Sequence, residues 1–129
     1  LLGDHQSLDK DVLGMIFDYS NTLYTSTTCV HELIHLFQIK KISWRNQKGR
    51  HINAEDILDS LLSMSITILP ISEKNLQVYA TLPFLKDHRD PFDRLIIAQA
   101  ISDKATLISS DLKFQWYEQY GLTFIQNKR

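Results

Sequence analysis

Cysteine is almost absent from this chain of 129 residues, where Cys29 stands alone. That excludes an internal disulfide framework and a four-cysteine zinc module, and it fits a reducing compartment. Charge of one sign is also lacking: 14 basic and 15 acidic residues leave a net of -1. With no global field to draw in nucleic acid, any such binding must come from a local patch. Only 4 glycines and 3 prolines occur, against 43% hydrophobic residues, a balance that argues against collagen-like repeats, disorder and coiled coil. No apolar run approaches the roughly 20 residues of a membrane span, and the amino terminus lacks the charge-then-apolar pattern of a signal peptide. The expectation is a cytosolic globule with one domain over residues 1–129 and no membrane association.

What is present alternates between two periods. Ser7 is placed to cap a helix carrying Leu8, Val12, Leu13 and Ile16, and Leu23 to Ser26 reads as a short strand. Thr28 to Lys40 is helical, with Val30, Leu33, Ile34 and Phe37 on one face. Lys40 to Arg50 holds basic residues and Trp44 but no acid, and reads as a loop or frayed end. Asn53 caps the next helix with Asp56 three residues on; Ile57, Leu58, Leu61 and Leu62 form its expected buried stripe. Ser65 to Leu69 reads as a strand, Ser72 caps a helix containing Leu76 and Tyr79, and Leu82 to Arg89 is a loop. Asp90 followed by Pro91 starts a helix with Phe92, Leu95, Ile96 and Ala100. Ala105 to Ser109 is a buried strand, Lys113 to Tyr120 a short helix stopped by Gly121, and Leu122 to Ile125 a last strand. Strands alternating with helices predict the α/β class, a mostly parallel central sheet covered on both faces.

In such sheets, sites form beyond the carboxyl ends of the strands. Asp111 follows a strand end there. Asp93 lies in the first turn of the Pro91 helix, on the side of Ile97 and Ala100, and Glu32 shares a face with Leu36 and Ile39. Three acids drawn together repel unless a cation joins them, which makes Glu32, Asp93 and Asp111 a candidate site for magnesium or manganese. Its usual chemistry is to orient water against a phosphodiester. Each acid also has a structural explanation. Glu32 and Asp93 favour helix amino termini through the macrodipole, Asp90 is a helix cap, and Asp111 is a turn residue.

The run His88-Arg89-Asp90-Pro91-Phe92-Asp93-Arg94-Leu95-Ile96-Ile97-Ala98-Gln99-Ala100, then Leu107-Ile108-Ser109-Ser110-Asp111 and Phe114, resembles the carboxyl half of a PIN domain of the VapC toxin type. Thr27 to Leu33 resembles that family's helix bearing an acid, and the likeness extends from Leu1 to Ile125. The resemblance implies a PIN-like three-layer sandwich. It also implies magnesium- or manganese-dependent endoribonuclease activity, with Glu32, Asp93 and Asp111 as catalytic and metal-site acids. Ser110 is implied as a neighbouring polar group and Asp90 as an outer residue. Homodimers and a cognate antitoxin are the implied partners, with RNA as substrate. Family members open on an apolar strand ending in aspartate, whereas Leu1-Leu2-Gly3-Asp4 looks like the end of the following helix, and Asp4 does not match that aspartate. The first strand is therefore expected to be missing from this chain, with one metal ligand lost and two neighbouring strands left without a partner. The alternative function is a catalytically incomplete domain that only binds an antitoxin or another copy of itself.

His31-Glu32-Leu33-Ile34-His35 also spells the zinc-protease pattern H-E-x-x-H, with Glu55 available as a third ligand. Only 30 residues precede it, too few for a protease cleft, so the two histidines are expected to form a partly exposed helix edge. Arg45, Lys48 and Arg50, with Trp44 among them, are the candidate RNA contacts, through phosphates and base stacking. A solvated loop accounts for them equally well.

Overall fold

Among the described residues, four strands of four residues each pair in parallel, two by two. The computed structural model describes residues 10–18, 21–45 and 48–128. The chain divides into two compact units, Leu1–Pro70 and Ile71–Arg129. Each carries one parallel pair and its own apolar cluster, in keeping with the α/β class. No helix among the described residues is long and apolar enough to cross a membrane.

In the first unit, helix α1 (Lys10–Phe17) buries Val12 completely. The Ser7 cap, Leu8 and the Leu1–Asp4 segment lie outside the described residues. Strand β1 (Leu23–Ser26) runs directly into helix α2 (Thr27–Gln38) because Ser26 stays extended while its Oγ accepts a hydrogen bond from the Thr28 amide at 3.1 Å. Val30 on α2 packs with Ile57 and Leu61, and Leu33, Ile34 and Phe37 close around them, as their spacing predicts. Helix α3 (Ile57–Ser63) follows a 3-10 turn over Ala54–Asp56, where the Asp56 carboxylate accepts from the Asn53 amide at 3.0 Å. Strand β2 (Ile66–Leu69) pairs with β1, Leu23 opposite Ile66 and Ser26 opposite Leu69.

The expected stripe on α3 is half right. Ile57 and Leu61 are buried, but Leu58 is 51% and Leu62 74% exposed. With Ile66 and Ile68 they line a shallow apolar groove. Four apolar positions on two turns span a wider sector than the cluster covers, and periodicity does not say which edge stays wet.

In the second unit, helix α4 (Glu73–Thr81) is capped reciprocally: Ser72 Oγ accepts from the Asn75 amide at 3.2 Å and Asn75 Oδ1 from the Ser72 amide at 2.9 Å. The buried Asn75 also donates to Asp103 at 3.0 Å, tying α4 to helix α5 (Pro91–Asp103). Strand β3 (Thr106–Ser109) is half-buried rather than buried as predicted, with Thr106 exposed. The next segment is a 3-10 helix over Leu112–Tyr120, ended by Gly121 at φ 104, a backbone state that suits glycine. Strand β4 (Thr123–Gln126) pairs parallel with β3. Leu82, Ile97, Ala100, Phe114, Tyr117 and Leu122 form the core, where full burial of a large apolar side chain contributes about 1.5–3 kcal/mol.

Candidate metal centre

The site is assembled from three short pieces of the second unit. Asp90 is the cap of α5, its Oδ1 accepting from the Phe92 amide at 2.9 Å, with Pro91 opening the helix. This start fixes Asp93 one turn before the buried Ile97. Asp111 caps the 3-10 helix just beyond β3; its Oδ1 accepts from the Lys113 amide at 3.0 Å and its own amide donates to Ser109 Oγ at 3.1 Å. The third piece is the loop before α5, which carries His88 inward until it is 4% exposed. The ring rests edge-on against Phe114 and Tyr117, with centroids 5.6 and 5.3 Å away. Its Nδ1 lies 2.7 Å from the Tyr117 hydroxyl, and its Nε2 lies 3.4 Å from Asp93 Oδ2. One ligand atom from each of His88, Asp93 and Asp111 falls within 4.8 Å of the others.

The electrostatics favour a cation here. Burial raises the Asp93 pKa above its ordinary 3.8; Asp90 and Asp111 push it further up, and only His88 pulls it down. A carboxylate under that pressure gains from a nearby positive charge. The Tyr117 hydroxyl also titrates above its usual 10.0, chiefly through burial, with the Arg94 guanidinium opposing. The buried His88 Nε2 makes no hydrogen bond; at 3.4 Å from Asp93 Oδ2 it is within ion-pair reach but long for a hydrogen bond. A buried ring nitrogen beside two carboxylates, with no hydrogen bond of its own, can offer its lone pair to a divalent ion when the ring proton is on Nδ1, so the residues present fit the metal the resemblance implies.

Of the residues expected from sequence, Asp93 and Asp111 are brought together. Glu32 stands on α2 in the first unit and is exposed, and Ile39 on its expected apolar face is 47% exposed. That face is therefore wetter than its spacing implied. Asp90 is a helix cap, and Ser110 Oγ accepts from Asn127 Nδ2 at 3.1 Å. His31 and His35 lie exposed on α2, as an ordinary helix edge would, and among the described residues the one metal-competent group is His88 with Asp93 and Asp111. In the basic stretch Arg45 pairs antiparallel with His51, and its guanidinium donates to the Gly49 carbonyl at 2.9 Å. Arg45, Lys48 and Arg50 are all exposed.

Sequence reasoning missed His88 and Tyr117. The available signal was a histidine two residues before a helix cap and five before an acid already singled out. The partner that holds it, Tyr117, is 29 residues away.

The model for the PIN domain matches residues 4–118. No curated protein sequence matches. Among solved structures, one chain in the crystal structure of VapBC2 from Rickettsia felis, bound to a DNA fragment from its promoter, is similar in fold. Its TM-score is 0.58 at 22% identity, over 90% of this chain and 81% of that one. The match covers most of the sequence, and the chain belongs to the PIN domain family.

Proposed function

We propose that this protein is a divalent-metal-dependent endoribonuclease, similar to the VapC-type toxin of a type II toxin–antitoxin system, cutting single-stranded RNA in the cytosol. The observation that carries the reading is the meeting of Asp93 and Asp111 beside an inward-facing His88 in a PIN-family chain. Magnesium or manganese, when bound, lowers the pKa of water and steadies charge on the leaving oxygen. Asp93 and Asp111 supply the negative charge that holds the ion. Asp90 keeps the amino end of α5 in place, and Ser110 steadies the segment before Asp111. Glu32 is retained as a further acid on the strength of the resemblance. Arg45, Lys48 and Arg50 offer phosphate contacts beside Trp44. A cognate antitoxin and a second copy of the chain are the proposed protein partners; the likeness to a chain crystallised as VapBC2 supports the first.

A second reading draws on Asp90 Oδ1 and Asp111 Oδ1, which already serve as caps: an inactive PIN-like domain that only binds protein. One experiment separates the two. Manganese-dependent cleavage of single-stranded RNA is expected, falling at least about 100-fold in Asp93→Asn, the scale of losing a group that acts in catalysis. Equal cleavage by both proteins refutes the site, and no cleavage by either supports the binding module. Replacing Arg45, Lys48 and Arg50 with alanine should flatten the salt dependence of RNA binding; an unchanged slope removes them from the interface.

A further inference from the structure

The histidine at this centre does more than fill space. Two ligands side by side on one ion, with bonds of about 2.1 Å, sit about 3.0–3.4 Å apart. Charge-assisted hydrogen bonds between the same atoms close to about 2.7–2.9 Å. The separation of His88 Nε2 from Asp93 Oδ2, 3.4 Å, matches the first spacing and exceeds the second. The nitrogen is buried and has no hydrogen-bond partner among the protein's groups. The opposite ring nitrogen is held by the Tyr117 hydroxyl at 2.7 Å, within a residue that is itself fully buried. A metal-bound histidine characteristically donates its other N–H to such a partner, which fixes the tautomer and aims the lone pair. With the proton on Nδ1, the Tyr117 oxygen accepts from it and Nε2 is left free to coordinate; metal binding would select that tautomer.

We propose that His88 Nε2 is a metal ligand together with Asp93 and Asp111, forming a mixed nitrogen and oxygen centre that takes a first-row transition-metal ion in preference to Mg2+. The proposal rests on the metal-site reading above and names a ligand that reading does not contain. An imidazole nitrogen suits the later first-row ions best; Mn2+ stands lowest in that series but accepts an imidazole more readily than Mg2+, which prefers an all-oxygen shell and keeps its waters. Replacing one carboxylate by imidazole also lowers the negative charge of the centre, and with it the purely ionic attraction on which Mg2+ depends.

The test is electron spin echo spectroscopy of Mn2+ bound to the full chain, with isothermal titrations of Mn2+ and Mg2+. The expected result is 14N modulation from a directly bound imidazole. It should persist when His5, His31, His35 and His51 are together replaced by glutamine, and vanish in His88→Gln. Manganese affinity should fall about tenfold or more in His88→Gln, the lower range for disturbing a metal ligand's surroundings, with a smaller change for Mg2+. Tyr117→Phe should keep the modulation but weaken binding. Mn2+ that binds the wild type and is lost in Asp93→Asn, yet shows no 14N coupling, overturns the His88 assignment and leaves the nuclease reading standing. Coupling that survives in His88→Gln also overturns it. Failure of the wild type to bind Mn2+ sinks both. The wild type and the four-histidine variant decide the matter even if His88→Gln does not fold.

Discussion

Arg94 belongs to the HRDPFDR run, and its surroundings give it a structural task that can be weighed. It is 6% exposed and reaches from α5 to the start of the Leu82–Arg89 loop. Nη2 donates to the Leu82 carbonyl at 3.1 Å, while the contacts to Pro83 O at 3.5 Å and Tyr79 Oη at 3.4 Å are too long to add much. The guanidinium also lies 4.8 Å from the Phe84 ring centroid and 5.0 Å from that of Tyr79. One hydrogen bond from a charged donor contributes about 1.5–3 kcal/mol. Each ring contact adds about 0.5–2 kcal/mol. Against this stands the cost of burying the cation with Nε unpartnered, a cost that methionine avoids. Arg94→Met should therefore destabilise by about 2–3 kcal/mol, since it also leaves the Leu82 carbonyl without its donor. At about 3–5 °C per kcal/mol for a chain of this size, Tm drops by about 6–15 °C. Urea denaturation followed by circular dichroism measures the loss, and hydrogen exchange should speed up in the loop that delivers His88. Arg94→Lys should recover little, because one ammonium does not replace a planar fork stacked on rings. A loss below about 0.5 kcal/mol, the range of an ordinary surface change, refutes the pinning role.

Two further outcomes follow from the geometry. Because folding raises the Asp93 pKa above 3.8, the folded chain holds a proton that the unfolded chain has released in the window above that value. Ionising Asp93 thus costs stability, absent below the unfolded pKa and complete above the folded one. Metal-free wild type should lose stability relative to Asp93→Asn as pH rises through that window, and manganese should reverse the loss; parallel pH curves for the two proteins would contradict this. On α3, Leu61→Ala should cost about 2–5 kcal/mol and Leu62→Ala less than about 0.5 kcal/mol, read from paired denaturation midpoints. Equal losses would mean that Leu62 is covered in solution.

Local chemistry in the sequence determined the secondary elements of this protein. The strand over Leu23 to Ser26, the Asn53 and Ser72 caps, the Asp90-Pro91 start and the Gly121 stop each depend on residues within one turn of one another, and all are found where their spacing placed them. Asp93 and Asp111 were legible for the same reason: a helix start and a strand end are local events, and both acids sit beside one. Which faces are covered was decided only by tertiary structure. Leu58 and Leu62 share the periodicity of Ile57 and Leu61 but not their burial, because periodicity describes a helix and not its neighbours. His88 depends on still longer range. No helical or strand period marks a loop residue, and its inward position rests on the rings of Phe114 and Tyr117 and on the Tyr117 hydroxyl, the last 29 residues away along the chain. Contacts between groups far apart in the chain form only once loop entropy has been overcome by the core they enclose, so no short window of sequence contains them.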